Sequence, residues 1–79
     1  MWWQFVLKSQ NEEYAFYAYS RESHDVDGII RIRKDSGDSD VISACANDIE
    51  SDLARDIACQ KAYTLFKENY PVKRIIACG

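Results

Sequence analysis

Residues 2–8 alternate in character, with Trp3, Phe5 and Leu7 on one side and Trp2, Gln4, Val6 and Lys8 on the other. A period of two over seven residues marks a strand with at least one buried face. The polar connector 9–13 has the length of a hairpin loop. Residues 14–20 form the second arm, with Tyr14, Phe16 and Ala18 on one face and Ala15, Tyr17 and Tyr19 on the other. Aromatic side chains opposite one another across a hairpin contribute about 0.2–1 kcal/mol per pair. A third strand is predicted over 28–34 after the Asp27-Gly28 turn signal, with Ile30 and Ile32 inward and Arg31 and Arg33 outward. The cluster 35–40 is a turn by composition, and 41–45 is a short fourth strand or an extended edge segment.

The period then changes. Leu53, Ala54, Ile57, Ala58, Ala62, Leu65 and Phe66 recur at three- and four-residue spacing, the stripe of an amphipathic helix over about 48–69. Asn47 with Glu50 reads as a capping box, with Ser51 as a rival cap one turn on. Asn69 and Pro71 end the helix. Residues 72–78 form a last strand, whose run Ile75-Ile76-Ala77 points to burial on both faces and so to an inner place in the sheet.

The order β-β-β-(β)-α-β predicts one α+β domain over residues 1–79: a two-layer sandwich with a mostly antiparallel sheet of four to five strands and one long helix on one face. The expected core is Trp3, Phe5, Leu7, Phe16, Ile30, Ile32, Leu53, Ile57, Leu65, Phe66 and Ile76. One helix covers one face. The opposite alternation holds Trp2, Tyr17, Tyr19, Arg31 and Arg33, and these five are the candidate binding surface.

Composition sharpens that picture. Ten aromatics in 79 residues, seven of them in the first nineteen, exceed what one face of a small core absorbs. A chain of this size buries only about 60% of the surface it exposes when unfolded, so a partner would supply missing burial. Net charge is −3, which disfavours a nucleic-acid role. Charge is also unevenly spread: residues 35–56 hold seven acids and one Arg, and residues 57–79 hold four bases and one acid.

Candidate chemistry is sparse. Asp25, Asp27, Gly28 and Ile30 match positions of a calcium loop, but Ser23 stands where its first acid belongs and Lys34 where its bidentate Glu belongs, so a polar turn is the simpler reading. His24 with Cys45 would make a nucleophile–base pair, and His24 with Cys45, Cys59 and Cys78 has zinc-ligand chemistry without a knuckle spacing. Three scattered thiols fit a reducing cytoplasm better than a disulfide framework. No phosphate loop, nucleophile elbow or zinc-protease motif occurs. The start is too short and too polar for a signal peptide, and no run approaches a membrane span.

The expectation is a cytoplasmic, non-enzymatic module without cofactor. It binds a protein partner or a second copy through the aromatic and Arg sheet face or an exposed strand edge. A single-stranded nucleic-acid binder is the alternative, and a zinc or calcium domain the second.

Overall fold

The computed structural model describes residues 1–77, so Cys78 lies outside the described residues. Strands β1 (Trp2–Gln10), β2 (Tyr14–Arg21), β3 (Gly28–Arg33) and β4 (Ser39–Ser43) precede a 3-10 turn at Ala46–Asp48. Helix α1 (Asp52–Lys67) and strand β5 (Lys73–Ala77) follow. All five strands form one antiparallel sheet in the order β4-β3-β2-β1-β5, with α1 on one face. This is the α+β two-layer architecture that the periodicity predicts.

The β1–β2 hairpin closes on Asn11, whose side-chain oxygen accepts from the N–H groups of Glu13 and Tyr14, each at 2.8 Å. Pairing runs Phe5 with Tyr19 and Leu7 with Tyr17, then slips by one residue at Lys8, so that Ser9 meets Phe16. The extra residue is a β-bulge. Residues directly opposite in an antiparallel pair share a face. Tyr17 and Tyr19 therefore lie with Phe5, under the helix.

This corrects the expected face of β2. Tyr17 and Tyr19 are fully buried, not on the open side, and Phe16 is half-buried on the open side, not in the core. Long polar-tipped rings suit the inside here because each hydroxyl finds a partner at the rim. The Tyr17 hydroxyl donates to the Pro71 carbonyl at 2.7 Å, and the Tyr19 hydroxyl accepts from the Cys45 N–H at 3.2 Å. Phenylalanine would gain nothing from that rim.

The core also holds Trp3, Phe5, Ala15, Ile30, Ile32 and Cys45, closed by Ala58, Ala62 and Leu65 of α1. Leu7, Ile57, Phe66 and Ile76 pack at its margin. Leu53 is a second correction, being 69% exposed. At 3.6 residues per turn it stands about 140° around the helix from Ala58, off the buried stripe. The helix starts at Asp52 because Ser51, not Asn47, caps it and accepts from the Ala54 N–H at 3.0 Å. The preceding turn is pinned separately. Arg21 Nε donates to the buried Asp48 carboxylate at 2.6 Å, and Asn47 Nδ2 donates to the Arg21 carbonyl at 2.6 Å.

Among the described residues strand β5 lies at the edge of the sheet, paired to β1 only, which overturns its expected inner position. Both of its faces are apolar in part, but the helix packs chiefly over β4, β3 and β1 and leaves β5 at the margin. No helix among the described residues is long and apolar enough to cross a membrane.

Gly28 sits opposite Tyr19 in the ladder, and its missing side chain is where the Tyr19 ring lies. A Cβ there would also stand 2.7 Å from the Cys45 backbone nitrogen, which cannot step aside. Gly28→Ala is expected to destabilise the fold by about 1–3 kcal/mol, the usual overpacking cost. A urea midpoint unchanged from that of the parent chain would refute this account of Gly28.

Candidate functional site: the open face of the sheet

The face away from α1 is built by the other alternation of every strand. Its rows follow from the register: Trp2 beside Ala77; Gln4 between Ile75 and Ser20; Val6, Ala18 and Ile29 in line; Phe16 beside Arg31 and Asp40; Tyr14 beside Arg33. One end of this face is not open at all. The β2–β3 loop, residues 22–27, folds over it. The Ser20 hydroxyl donates to the Ser23 carbonyl. His24 Nδ1 lies 3.3 Å from Gln4 Oε1, and the His24 ring sits 5.1 Å from the Trp2 ring. Gln4 and Ser20 are buried as a result.

Trp2 is thus on the expected face but half covered by His24. Arg31 and Arg33 are also on that face. Tyr17 and Tyr19 are not, and Phe16 and Tyr14 take their place there, with ring centroids 6.1 Å apart. Arg31 lies over the Tyr14 ring at 4.7 Å and donates to Asp40 Oδ2 at 2.9 Å. Its Nε is buried without an acceptor. Arg33 donates to Asp35 Oδ2 at 3.0 Å. Both pairs are solvent-facing and contribute little to stability. Their consequence is positional: each guanidinium is tethered beside an aromatic and apolar row. The bonds to Asp40 hold the Arg31 guanidinium above its ordinary pKa, so it is always charged.

The patch that stays accessible is therefore Val6, Tyr14, Phe16, Ile29, Arg31 and Arg33, extended at the β5 margin by the exposed Ile75. Phe16 and Tyr14 escape a reading by hydrophobicity, since Phe is the more apolar residue and attracts assignment to the core. The signal that places them is the hairpin count. A five-residue connector over 9–13 gives Tyr17 and Tyr19 the same alternation as Phe5 and Leu7, and the observed pairs, Leu7 with Tyr17 and Phe5 with Tyr19, keep that face.

No protein-family model, curated protein or solved structure matches this chain.

The other candidate chemistries are not assembled. His24 is engaged with Gln4 and Trp2, not with a thiol. Cys45 lies in the core and precedes the 3-10 turn, away from the helix start. Burial, then the nearby Asp48 carboxylate, pushes its thiol pKa up, and burial does the same for Cys59, so neither is primed as a thiolate. Among the described residues no group of three or more His, Cys, Asp or Glu could hold a metal ion. Asp27, the best calcium-loop acid, instead accepts from the Ala46 N–H at 3.2 Å. A cavity of about 200 Å3 lined by Trp3, Leu53, Ala54 and Ile57 is smaller than a usual ligand site, and a hollow of about 640 Å3 between Asp38, Asp40, Cys59 and Tyr63 is the larger one.

The buried phenols give the site's support a pH signature. Burial, then the neighbouring Tyr70 and Glu68, pushes the Tyr17 pKa from 10.0 up to about 12. Burial raises Tyr19 further. Below pH 10 both states hold neutral phenols and stability is full. Above it the unfolded chain ionises first, so stability falls as pH rises toward 12. The urea midpoint is expected to decline across that window. Tyr17→Phe is expected to cost about 0.5–1.5 kcal/mol at neutral pH through the lost Pro71 bond and to shallow the alkaline decline. An alkaline slope equal to that of the parent chain would show that Tyr17 is not one of its sources.

Proposed function

We propose that this chain is a protein-binding module whose contact surface is the loop-free part of the open sheet face: Phe16, Tyr14, Val6, Ile29, Arg31 and Arg33. One observation carries the reading. A sheet with a single helix layer keeps half-buried aromatic and aliphatic side chains in adjacent rows on its second face, beside two guanidinium groups held in fixed positions. Aromatic and Arg side chains are the types that dominate binding energy at protein interfaces. The partner is a protein surface presenting apolar side chains bordered by carboxylates. Lys73 stands on the same face beside the two Arg–Asp pairs, so the patch leans positive by one charge and a negative rim is the complementary one.

The pairing of the two arginines favours this over a single-stranded nucleic acid. A backbone-tracking groove needs cations free to replace counterions. Arg31 and Arg33 already sit on Asp40 and Asp35, and the chain carries −3 overall.

The test compares partners retained from a native extract by the parent chain, by the double variant Phe16→Ala/Arg31→Ala, and by Tyr63→Ala on the exposed side of the helix. The expected result is a defined protein bound by the parent and by Tyr63→Ala. Its affinity for the double variant falls by about tenfold or more, the loss typical of interface anchors, with the thermal midpoint checked in parallel. Equal binding by the double variant would remove the open face from the interface. Saturable binding of an oligonucleotide that weakens steeply with salt would overturn the protein-binding reading itself.

A further inference from the structure

Strand β5 carries a conflict between its residues and its place. The run Ile75-Ile76-Ala77 is apolar on both faces and free of charge and Pro, unlike a guarded edge, yet among the described residues β5 has a strand neighbour on one side only. Its ladder shows which backbone groups are spare. The Leu7 N–H donates to the Val72 carbonyl at 2.8 Å, toward β1. Antiparallel pairs alternate, so Arg74 and Ile76 also face β1, while the N–H and C=O of Lys73 and Ile75 point away from the sheet. One of these is occupied locally: Arg74 Nη1 donates to the Ile75 carbonyl at 2.5 Å, a side chain standing where a strand would stand.

The opposite edge is blunted. Strand β4 has a register slip between Ile29 and Ile30 that leaves Ile42 as an extra residue, carries Asp40, and is packed by the helix. Bulges, charges and covering elements are the usual protections of an edge. Strand β5 carries its charges, Lys73 and Arg74, at its start, and its pairing with β1 runs without a bulge over all five residues.

We propose that β5 pairs with β5 of a second copy of this chain, antiparallel, around a two-fold axis through Ile75, joining two five-stranded sheets into one of ten strands. This rests on the reading of the chain as an association module and assigns it a partner at the strand edge, which adjoins the open face at Ile75. The register follows from charge and overlap. Centred on Ile75, all five residues of each strand are paired, Ile75 meets Ile75, Lys73 meets Ala77 and Arg74 meets Ile76. Centred on Arg74, two guanidinium groups would be opposed, which is unfavourable. The exposed Val72 and Ile75 supply apolar surface at the seam. A five-residue edge is smaller than the roughly 800 Å2 per partner of a stable complex, so the dimer is a weak one, in equilibrium with monomer at micromolar concentrations or above.

Sedimentation equilibrium of the full chain under reducing conditions, from about 10 µM to about 1 mM, tests this. The expected result is a concentration-dependent monomer–dimer equilibrium, with the Lys73 and Ile75 amides exchanging deuterium more slowly as dimer accumulates. Ile75→Pro removes an N–H that does not serve the β1 ladder, and Ile75→Lys opposes two cations at the axis. Each is expected to weaken the dimer at least tenfold while the thermal midpoint reports an intact fold. Arg74→Ala frees the Ile75 carbonyl and is expected to tighten it. A parent chain that is monomeric at 1 mM overturns the edge pairing and leaves the open-face reading standing. A dimer that survives both Ile75 variants but is lost in Phe16→Ala/Arg31→Ala overturns it too, and moves self-association to the open face.

Discussion

Two tyrosine rings span the space between the sheet and the single helix, and the rest of the molecule is arranged around them. Tyr17 and Tyr19 lie side by side along β2, the central strand, with Phe5 against both: edge-on to Tyr17 at 6.4 Å and stacked on Tyr19 at 6.2 Å. Their hydroxyls reach opposite rims of the core. One fastens the entry to β5 through Pro71 and the other the entry to the 3-10 turn through Cys45. Each ring therefore combines apolar burial with a long-range tether, a use of Tyr that Phe cannot supply. The glycine at the start of β3 makes room for the second ring, and Ala58 and Ala62 bring the helix close to the sheet.

That arrangement explains which parts of the fold were legible in the residues. The sheet, the helix and their order follow from a change of period, from two to about three and a half, and needed no knowledge of contacts. The face of β2 did not follow from hydrophobicity, because both of its alternations are aromatic. It did follow from register, since opposite residues of a hairpin share a face. The helix start was ambiguous for a different reason. Asn47, Asp48 and Glu50 look like cap residues, but Asp48 is drawn into the protein by Arg21, a residue 27 positions earlier. No local pattern reports a partner that distant. The position of β5 was hidden in the same way, because an apolar run describes what surrounds a strand and not whether the neighbour belongs to the same chain.

The candidate site was half legible. Trp2, Arg31 and Arg33 occupy the face expected of them, while the aromatics between them are Tyr14 and Phe16 instead of Tyr17 and Tyr19. The loop over residues 22–27 was the larger surprise. It turns a polar, motif-like stretch into a cover for Gln4 and Ser20, with His24 laid against Trp2. A sheet face expected to lack any cover has one over two of its five rows. What stays accessible is smaller, and its chemistry is more definite: aliphatic in the middle, aromatic and cationic toward the β1–β2 hairpin.

The two surfaces meet at one residue. Ile75 pairs with Gln4, so its side chain belongs to the open face, while its own N–H and C=O belong to the free edge. Pairing through that edge places two Ile75 side chains side by side on the same side of a continuous sheet. The open faces of both copies then run together across the seam, where the Gln4 rows of the two copies meet and the Val6–Ile29 row of each continues into the Trp2 row of the other. A partner too weakly held by one face would meet two, and linked sites gain apparent affinity without any new contact. The small size of the chain, which limits the core that one copy can build, is for the same reason no limit on the surface that two copies can present.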